Sequence, residues 1–274
     1  MTVLGSRVRV RPWAFDGDVV QLSLADQAIV PDVDEVGGWV DALTSSGVER
    51  SRPLRSIRTG ALFAEAAERF AAAGFDVIDT LALLRIDLAG RPRRVVRSLD
   101  GDDCLARSKT HSLGLSLGSH SRSPTSTSRL PTRRHAEAAE VDRDAFGDPW
   151  GNDADDLAEI RRATPVHRAR ARFVPGPGRR RTLVGFAITG AAAGHGYLQR
   201  LAVSPGHQRH GHGRALVLDS LAWMGGRRLG HGLVNTAVGN ERALGLYESL
   251  GFQQLPERLV VMQLDLAAAG GAGR

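Results

Sequence analysis

One cysteine and one lysine stand in this chain of 274 residues, and Phe, Trp and Tyr together make up only 5% of it. The single thiol, Cys104, lies in a polar, serine-rich stretch. It excludes an intramolecular disulfide and gives no ground for a catalytic nucleophile. Long apolar runs are also missing. The opening stretch to Val20 sets Val3, Val8 and Val10 among Arg7, Arg9 and Arg11, which builds neither the core of a secretory leader nor a membrane span. The expected compartment is therefore the cytoplasm, with no membrane partner. The scarcity of aromatics weighs against nucleic acid as well, because the arginines are not interleaved with stacking rings and no nucleic-acid motif occurs.

What is abundant is arginine. Lys109 is the only lysine among 36 basic residues, and the net charge is +6. From Arg161 to Leu218 there are eleven arginines and no Asp or Glu. That distribution predicts a local positive field suited to a polyanion, either nucleic acid or a phosphorylated cofactor.

The chain divides by composition. From about Asp100 to Arg134 it turns to Ser, Thr, Arg and His without sustained periodicity, as a flexible linker does. The expected partition is a module at 1–99, a linker at 100–131 and a second module at 132–268. The two halves are weakly repeated. The run from Glu68 to Leu88 lies over that from Leu244 to Leu266, matching Gly74-Phe75 to Gly251-Phe252 and Asp87-Leu88 to Asp265-Leu266. Upstream, Asp18–Leu24 falls on Gly196–Val203 and brings Gln21 over Gln199. Each half reads strand, helix, strand, helix, strand. In the second half, helices are expected at Thr132–Phe146, Asp153–Ala163, Arg214–Met224 and Asn240–Leu250. Asn152 or Asp153, and Asn240, are the N-cap candidates, and Gly251 is the left-handed C-cap.

The stretch "AVSPGHQRHGHGRAL" runs from a strand through a glycine-bearing loop into a helix. Gly211 and Gly213 let backbone N–H groups approach an anion, and the helix N-terminus adds partial positive charge, so a pyrophosphate fits there. Neither a Rossmann fingerprint nor a P-loop is present. The spacing of His207, His210 and His212 is ligand-like, but no carboxylate or thiolate nearby completes a shell, and no metal is expected.

Gln208, Gly211 and Gly213, preceded by a strand ending Leu201-Ala202-Val203, match the Q/R-x-x-G-x-G/A signature of the GNAT acetyltransferase superfamily. Downstream, "NERALGLYESLGF" resembles the family's N-x-x-A-x-x-L-Y-x-x-x-G-F. Together the two motifs make the region from Asp153 to Leu266 resemble a GNAT domain. The resemblance implies an α/β fold with a mixed, mostly antiparallel sheet flanked by helices, here in two repeated modules. It also implies acetyl-CoA as cosubstrate. By the same resemblance Leu201, Ala202 and Val203 splay from the neighbouring strand and bind the pantetheine arm, and Arg209, His210, Gly211, His212, Gly213 and Arg214 wrap the pyrophosphate together with Gln208. Asn240 contacts pantetheine, and Tyr247 is the general acid for the CoA thiolate. Seven residues along a helix are about two turns, so Asn240 and Tyr247 share a face.

An alkylammonium with a pKa near roughly 10 must lose a proton before it attacks. Related ribosomal-protein alanine acetyltransferases place a glutamate five residues before the motif asparagine, where this chain has Asn235. His195, Asn235 and a water chain stay open as the route. The first module departs further. Asp32, Asp34 and Glu35 stand where phosphates would approach, and Phe70 replaces Tyr247. That half is expected to be a degenerate module kept for packing or substrate contact. The function expected is N-acetyl transfer to a small-molecule or peptide amine. The alternative is a non-catalytic acyl-CoA-binding regulatory module.

Overall fold

The computed structural model describes residues 2–4, 7–13, 16–26, 28–45, 53–88, 126–147, 150–178 and 180–266. Cys104, Lys109 and positions 100–125 of the expected linker lie outside them. In chain order the elements are β1 (Thr2–Leu4), β2 (Val8–Trp13), β3 (Asp16–Leu24), α1 (Val33–Ser45), β4 (Ser56–Thr59), α2 (Ala64–Ala72) and β5 (Asp76–Asp87). After them come β6 (Ser128–Arg129), α3 (His135–Phe146), α4 (Ala154–Arg162), β7 (Val166–Pro175), β8 (Arg181–Ala192) and β9 (His195–Val203). The last are α5 (His212–Gly226), β10 (His231–Ala237), α6 (Glu241–Ser249) and β11 (Gln253–Asp265). Two compact units result, one drawn from Met1–Arg85 with Asn235–Arg274 and the other from Ile86–Val234. No helix among the described residues is long and apolar enough to cross a membrane.

In the first unit the strand order is β1-β2-β3-β4-β11-β5, antiparallel except where β3 meets β4. The alternation of the opening stretch is what makes β2, with Val8 and Val10 buried and Arg9 exposed. They join Leu22, Ile57, Phe70, Phe75 and Met262 in one core. Helix α2 contributes Ala66 and Phe70, one turn apart on its buried face. Helix α1 closes its own N-terminus. The Asp32 carboxylate accepts from Glu35 N–H (2.7 Å), the Glu35 carboxylate accepts from Asp32 N–H (3.2 Å), and Glu35 also pairs with Arg7.

Strand β11, from the far end of the chain, pairs with β4 at Gln263↔Arg58, Leu264↔Ile57 and Asp265↔Ser56, and with β5 along most of its length. A self-contained repeat would set β5 beside β4. The two end in nearly the same pattern, "ALLRIDL" and "VVMQLDL", so either can present the same apolar face to the same neighbour.

The second unit orders its strands β10-β9-β8-β7-β6, antiparallel except where β10 meets β9. β6 is formed by two residues of the expected linker, and Leu130 just after it is buried. Phe186, Ile188, Ala169, Ala171 and Ala202 pack with Ala138, Val141 and Leu157 of α3 and α4. On the other face α5 lies close. A Cβ on Gly196 would come within 2.5 Å of Met224, and Thr189 donates to Ser220 (2.7 Å). With both faces covered, β8 is buried from Leu183 to Ala191. Asp153 and Asp156 form the capping box of α4.

The positive field expected from Arg161 to Leu218 is partly neutralised from outside that window. Arg168, Arg170 and Arg172 alternate with Ala169, Ala171 and Phe173 along β7, a strand the charge pattern concealed. Arg168 and Arg170 reach Asp219 at 3.0 and 3.3 Å, and Arg200 is clamped by Asp142.

His135 is buried with Arg161 Nη1 2.8 Å from its Nε2. Arginine only donates, so that nitrogen accepts and the ring is neutral. Burial first, then the Arg161 charge, hold its pKa below 6.5. Burial and then Arg172 do the same for His212. The unfolded chain therefore binds protons that the folded chain refuses, and stability falls as pH drops through about 6.5. His135→Gln should flatten the decline between pH 7 and 5 in urea-unfolding midpoints. An unchanged slope would remove His135 from the cause.

Candidate functional site

The second unit gathers most of the residues expected to bind the cofactor. β9 and β10 pair in parallel at His195↔His231, Gly196↔Gly232 and Tyr197↔Leu233, and there the pairing ends. From Leu198 to Val203, β9 is laddered only to β8, with a register shift that leaves Gln199 as an extra, bulged residue. Among the described residues of this unit, the Leu201-Ala202-Val203 backbone thus has an edge with no strand beside it, whose N–H and C=O groups are open to an extended partner.

β9 leads into the loop where the sequence predicts anion binding. Gln208 Nε2 donates to Val203 O (3.1 Å) and ties the loop back to the strand, and His210 Nδ1 lies 2.7 Å from Gln208 O. Arg209 and Gly211 take positive φ, +65° and +74°. That turns the chain sharply into α5, whose N-cap Gly211 supplies no side-chain cap. The amides of His212, Gly213 and Arg214 have no acceptor within the helix by its geometry. Among the described residues no backbone carbonyl receives those of Arg209, His210 or Gly211. Arg209, His210 and Gly211 are exposed, so these donors lie at the surface. The three histidines stand apart, with centroids 6.5 Å between His207 and His212 and 6.3 Å between His210 and His212. His212 Nδ1 accepts from Arg172 Nε (3.2 Å). Among the described residues no group of three metal-ligating side chains forms.

Asn240 and Tyr247 belong to the first unit, on α6. Asn240 Oδ1 accepts from Ala243 N–H (3.1 Å) and caps the helix, and Gly251 at φ +89° ends it. Tyr247 is 5% exposed and packs 5.6 Å from the Phe252 ring. The equivalent pair in the other half is Phe70 on Phe75, 5.1 Å apart.

At the collinear position of the first unit the cleft is closed. β3 and β4 stay paired from Val19↔Ser56 through Gln21↔Arg58 to Leu22↔Thr59, and Gly60 N–H adds a bond to Leu22 O. The pairing runs past Gln21, where β9 and β10 have ended before Gln199. The acids expected to repel phosphate do more, since Asp32 and Glu35 consume the helix-end donors themselves. His231 was not among the residues singled out by motif, although His195-Gly196 and His231-Gly232 repeat one dipeptide on neighbouring strands. Asp142 and Arg200, 58 residues apart, left no local signal.

The model of the Acetyltransferase (GNAT) family matches residues 136–252. Similar solved structures include a tandem GNAT protein from the clavulanic acid biosynthesis pathway, at 15% identity and TM-score 0.55 over 90% of this chain and 75% of that one. A GCN5-related N-acetyltransferase from Kribbella flavida matches at 16% and 0.52 over 90% and 81%. A functionally unknown conserved protein from Staphylococcus epidermidis matches at 12% and 0.51 over 96% and 92%. At these identities the likeness is one of fold. No curated protein matches the chain. The family match contains both β9 and the loop that follows it, and residues 136–252 form an acetyltransferase (GNAT) family domain.

Proposed function

We propose that this protein is an acetyl-CoA-dependent N-acetyltransferase, acting in the cytoplasm on a small-molecule or peptide amine that attacks the thioester directly in a ternary complex. The observation that carries the reading is the end of β9–β10 pairing at Tyr197↔Leu233, followed by a bare strand edge that leads into the uncapped amides of α5. In this reading Leu201, Ala202 and Val203 receive the pantetheine arm by backbone hydrogen bonds. Gln208 through Arg214 hold the pyrophosphate by backbone N–H groups and the helix dipole. Family resemblance assigns Asn240 to pantetheine and Tyr247 to protonation of the departing thiolate. It also keeps 132–268 as the catalytic module, 1–99 as its degenerate partner and 100–131 as the tether. No metal, membrane or nucleic acid takes part in the proposal.

A non-catalytic acyl-CoA sensor is the second reading. Asn235 at the family's glutamate place and the burial of Tyr247 favour it. Tyr247→Phe separates the two. The substitution removes one hydroxyl, and Phe70 shows that a phenyl ring packs in the equivalent place. Acetyl-CoA affinity should stay within about twofold while kcat falls roughly ten- to a thousandfold on an amine panel. An unchanged kcat would assign the proton to water or another group. Weakened binding without a kcat effect would make Tyr247 a packing residue and favour the sensor.

A further inference from the structure

The reaction must take a proton from the acceptor ammonium, and no carboxylate stands at Asn235. Within the second unit, alternation along β9 and β10 up to the splay point puts Gly196 and Gly232 on the face of α5, where an added Cβ would meet Met224 at 2.5 and 3.1 Å. The other face of this stretch carries His195 and Tyr197 from β9, and His231 and Leu233 from β10. Of these four side chains the two imidazoles carry a ring nitrogen able to accept a proton.

They form a pair. Their rings stack with centroids 5.6 Å apart and planes 13° apart, and both Nδ1 atoms are buried without a hydrogen-bond partner among the described residues. Two buried unsatisfied nitrogens on stacked rings are costly as packing alone and call for a chemical reason. The pair lies two residues, about 7 Å, before the point where β9 and β10 separate, on the strand that then runs to the anion loop.

We propose that His195 is the base of the transfer, with His231 as the residue that positions it; this rests on the acetyltransferase reading above. The buried Nδ1 leaves Nε2 to face the acceptor. Nε2 takes one proton from the ammonium, and the freed lone pair forms the C–N bond to the acetyl carbonyl as the C–S bond breaks. The thiolate gains one proton, the amide nitrogen loses its second, and one proton in all passes to solvent.

The test uses the full chain as wild type, His195→Ala and His231→Ala, with 2-phenylethylamine, spermidine and an alanine-terminated peptide as probes. His195→Ala should lower kcat/KM by roughly 10²- to 10⁴-fold, with acetyl-CoA affinity unchanged. Free imidazole should restore part of the rate. His231→Ala should cost about tenfold, because orientation is lost but the base is kept. Full activity in His195→Ala, or a loss that imidazole does not move, overturns the assignment. If the wild type binds acetyl-CoA but acetylates none of the probes, the acetyltransferase reading fails and this assignment with it. An active wild type with unaffected variants overturns the assignment alone.

Discussion

Gly211→Asp is expected to abolish the stabilisation of the protein by acetyl-CoA. For the wild type at about a hundred times Kd that stabilisation is about 2.7 kcal/mol. Gly211 sits at φ +74° as the N-cap of α5, and among the described residues no backbone carbonyl receives its amide or those of Arg209 and His210. A carboxylate there sits among the donors that the proposed function assigns to the pyrophosphate and would repel its charge. A Cβ at this position meets nothing within 4 Å, so the cost to the unliganded fold is the left-handed backbone alone, about 1–2 kcal/mol. Asparagine tolerates that conformation without charge, and Gly211→Asn should keep part of the shift. Thermal melts with and without acetyl-CoA decide the matter. An undiminished shift in Gly211→Asp would place the pyrophosphate elsewhere.

Asp142→Ala should destabilise the protein by about 3–5 kcal/mol, a large share of what a domain has. Asp142 is 0% exposed and holds Arg200 through two bonds, Nε to Oδ1 at 2.7 Å and Nη2 to Oδ2 at 2.6 Å. It also accepts from the Asn152 backbone N–H (2.7 Å) and side-chain amide (3.1 Å). Arg200 adds a bond to Trp150 O (2.8 Å) and lies 3.6 Å over the Phe146 ring. One carboxylate thus joins α3, the approach to α4 and β9, at the residue after the Gln199 bulge. Removing it leaves a half-buried guanidinium without its counter-charge. Replacing both residues with leucine should cost less than the sum of the single changes. Urea unfolding of the three variants measures the coupling. A loss below about 1 kcal/mol for Asp142→Ala would show that water repays the missing carboxylate.

Local signals carried much of this structure. Asn240 and Asp153 cap their helices and Gly251 takes its left-handed turn because each effect acts within four residues, the range over which sequence speaks directly. The strand-loop-helix motif was legible for the same reason. β7 was not, since its arginines read as a charge run until Asp219 was seen to answer two of them. The closure of β3 on β4 depends on how far a parallel ladder runs, which periodicity does not encode. The stack of His195 on His231 depends on the register of two strands separated by a helix. The partner of β11 was illegible because β5 carries the same pattern.

That last ambiguity has a consequence for synthesis. β4 is made early, yet one of its strand partners ends at Asp265, about 200 residues later. At about 5–20 residues per second the ribosome needs roughly 10–40 seconds to deliver it. During that interval the edge of β4 is open, and β5, already made and similarly patterned, is at hand to fill it. The nascent chain therefore has an alternative pairing available before the one seen in the finished fold. Completion of the first unit's sheet waits on translation of β11, so its pace is bounded by synthesis as well as by the stability of the product.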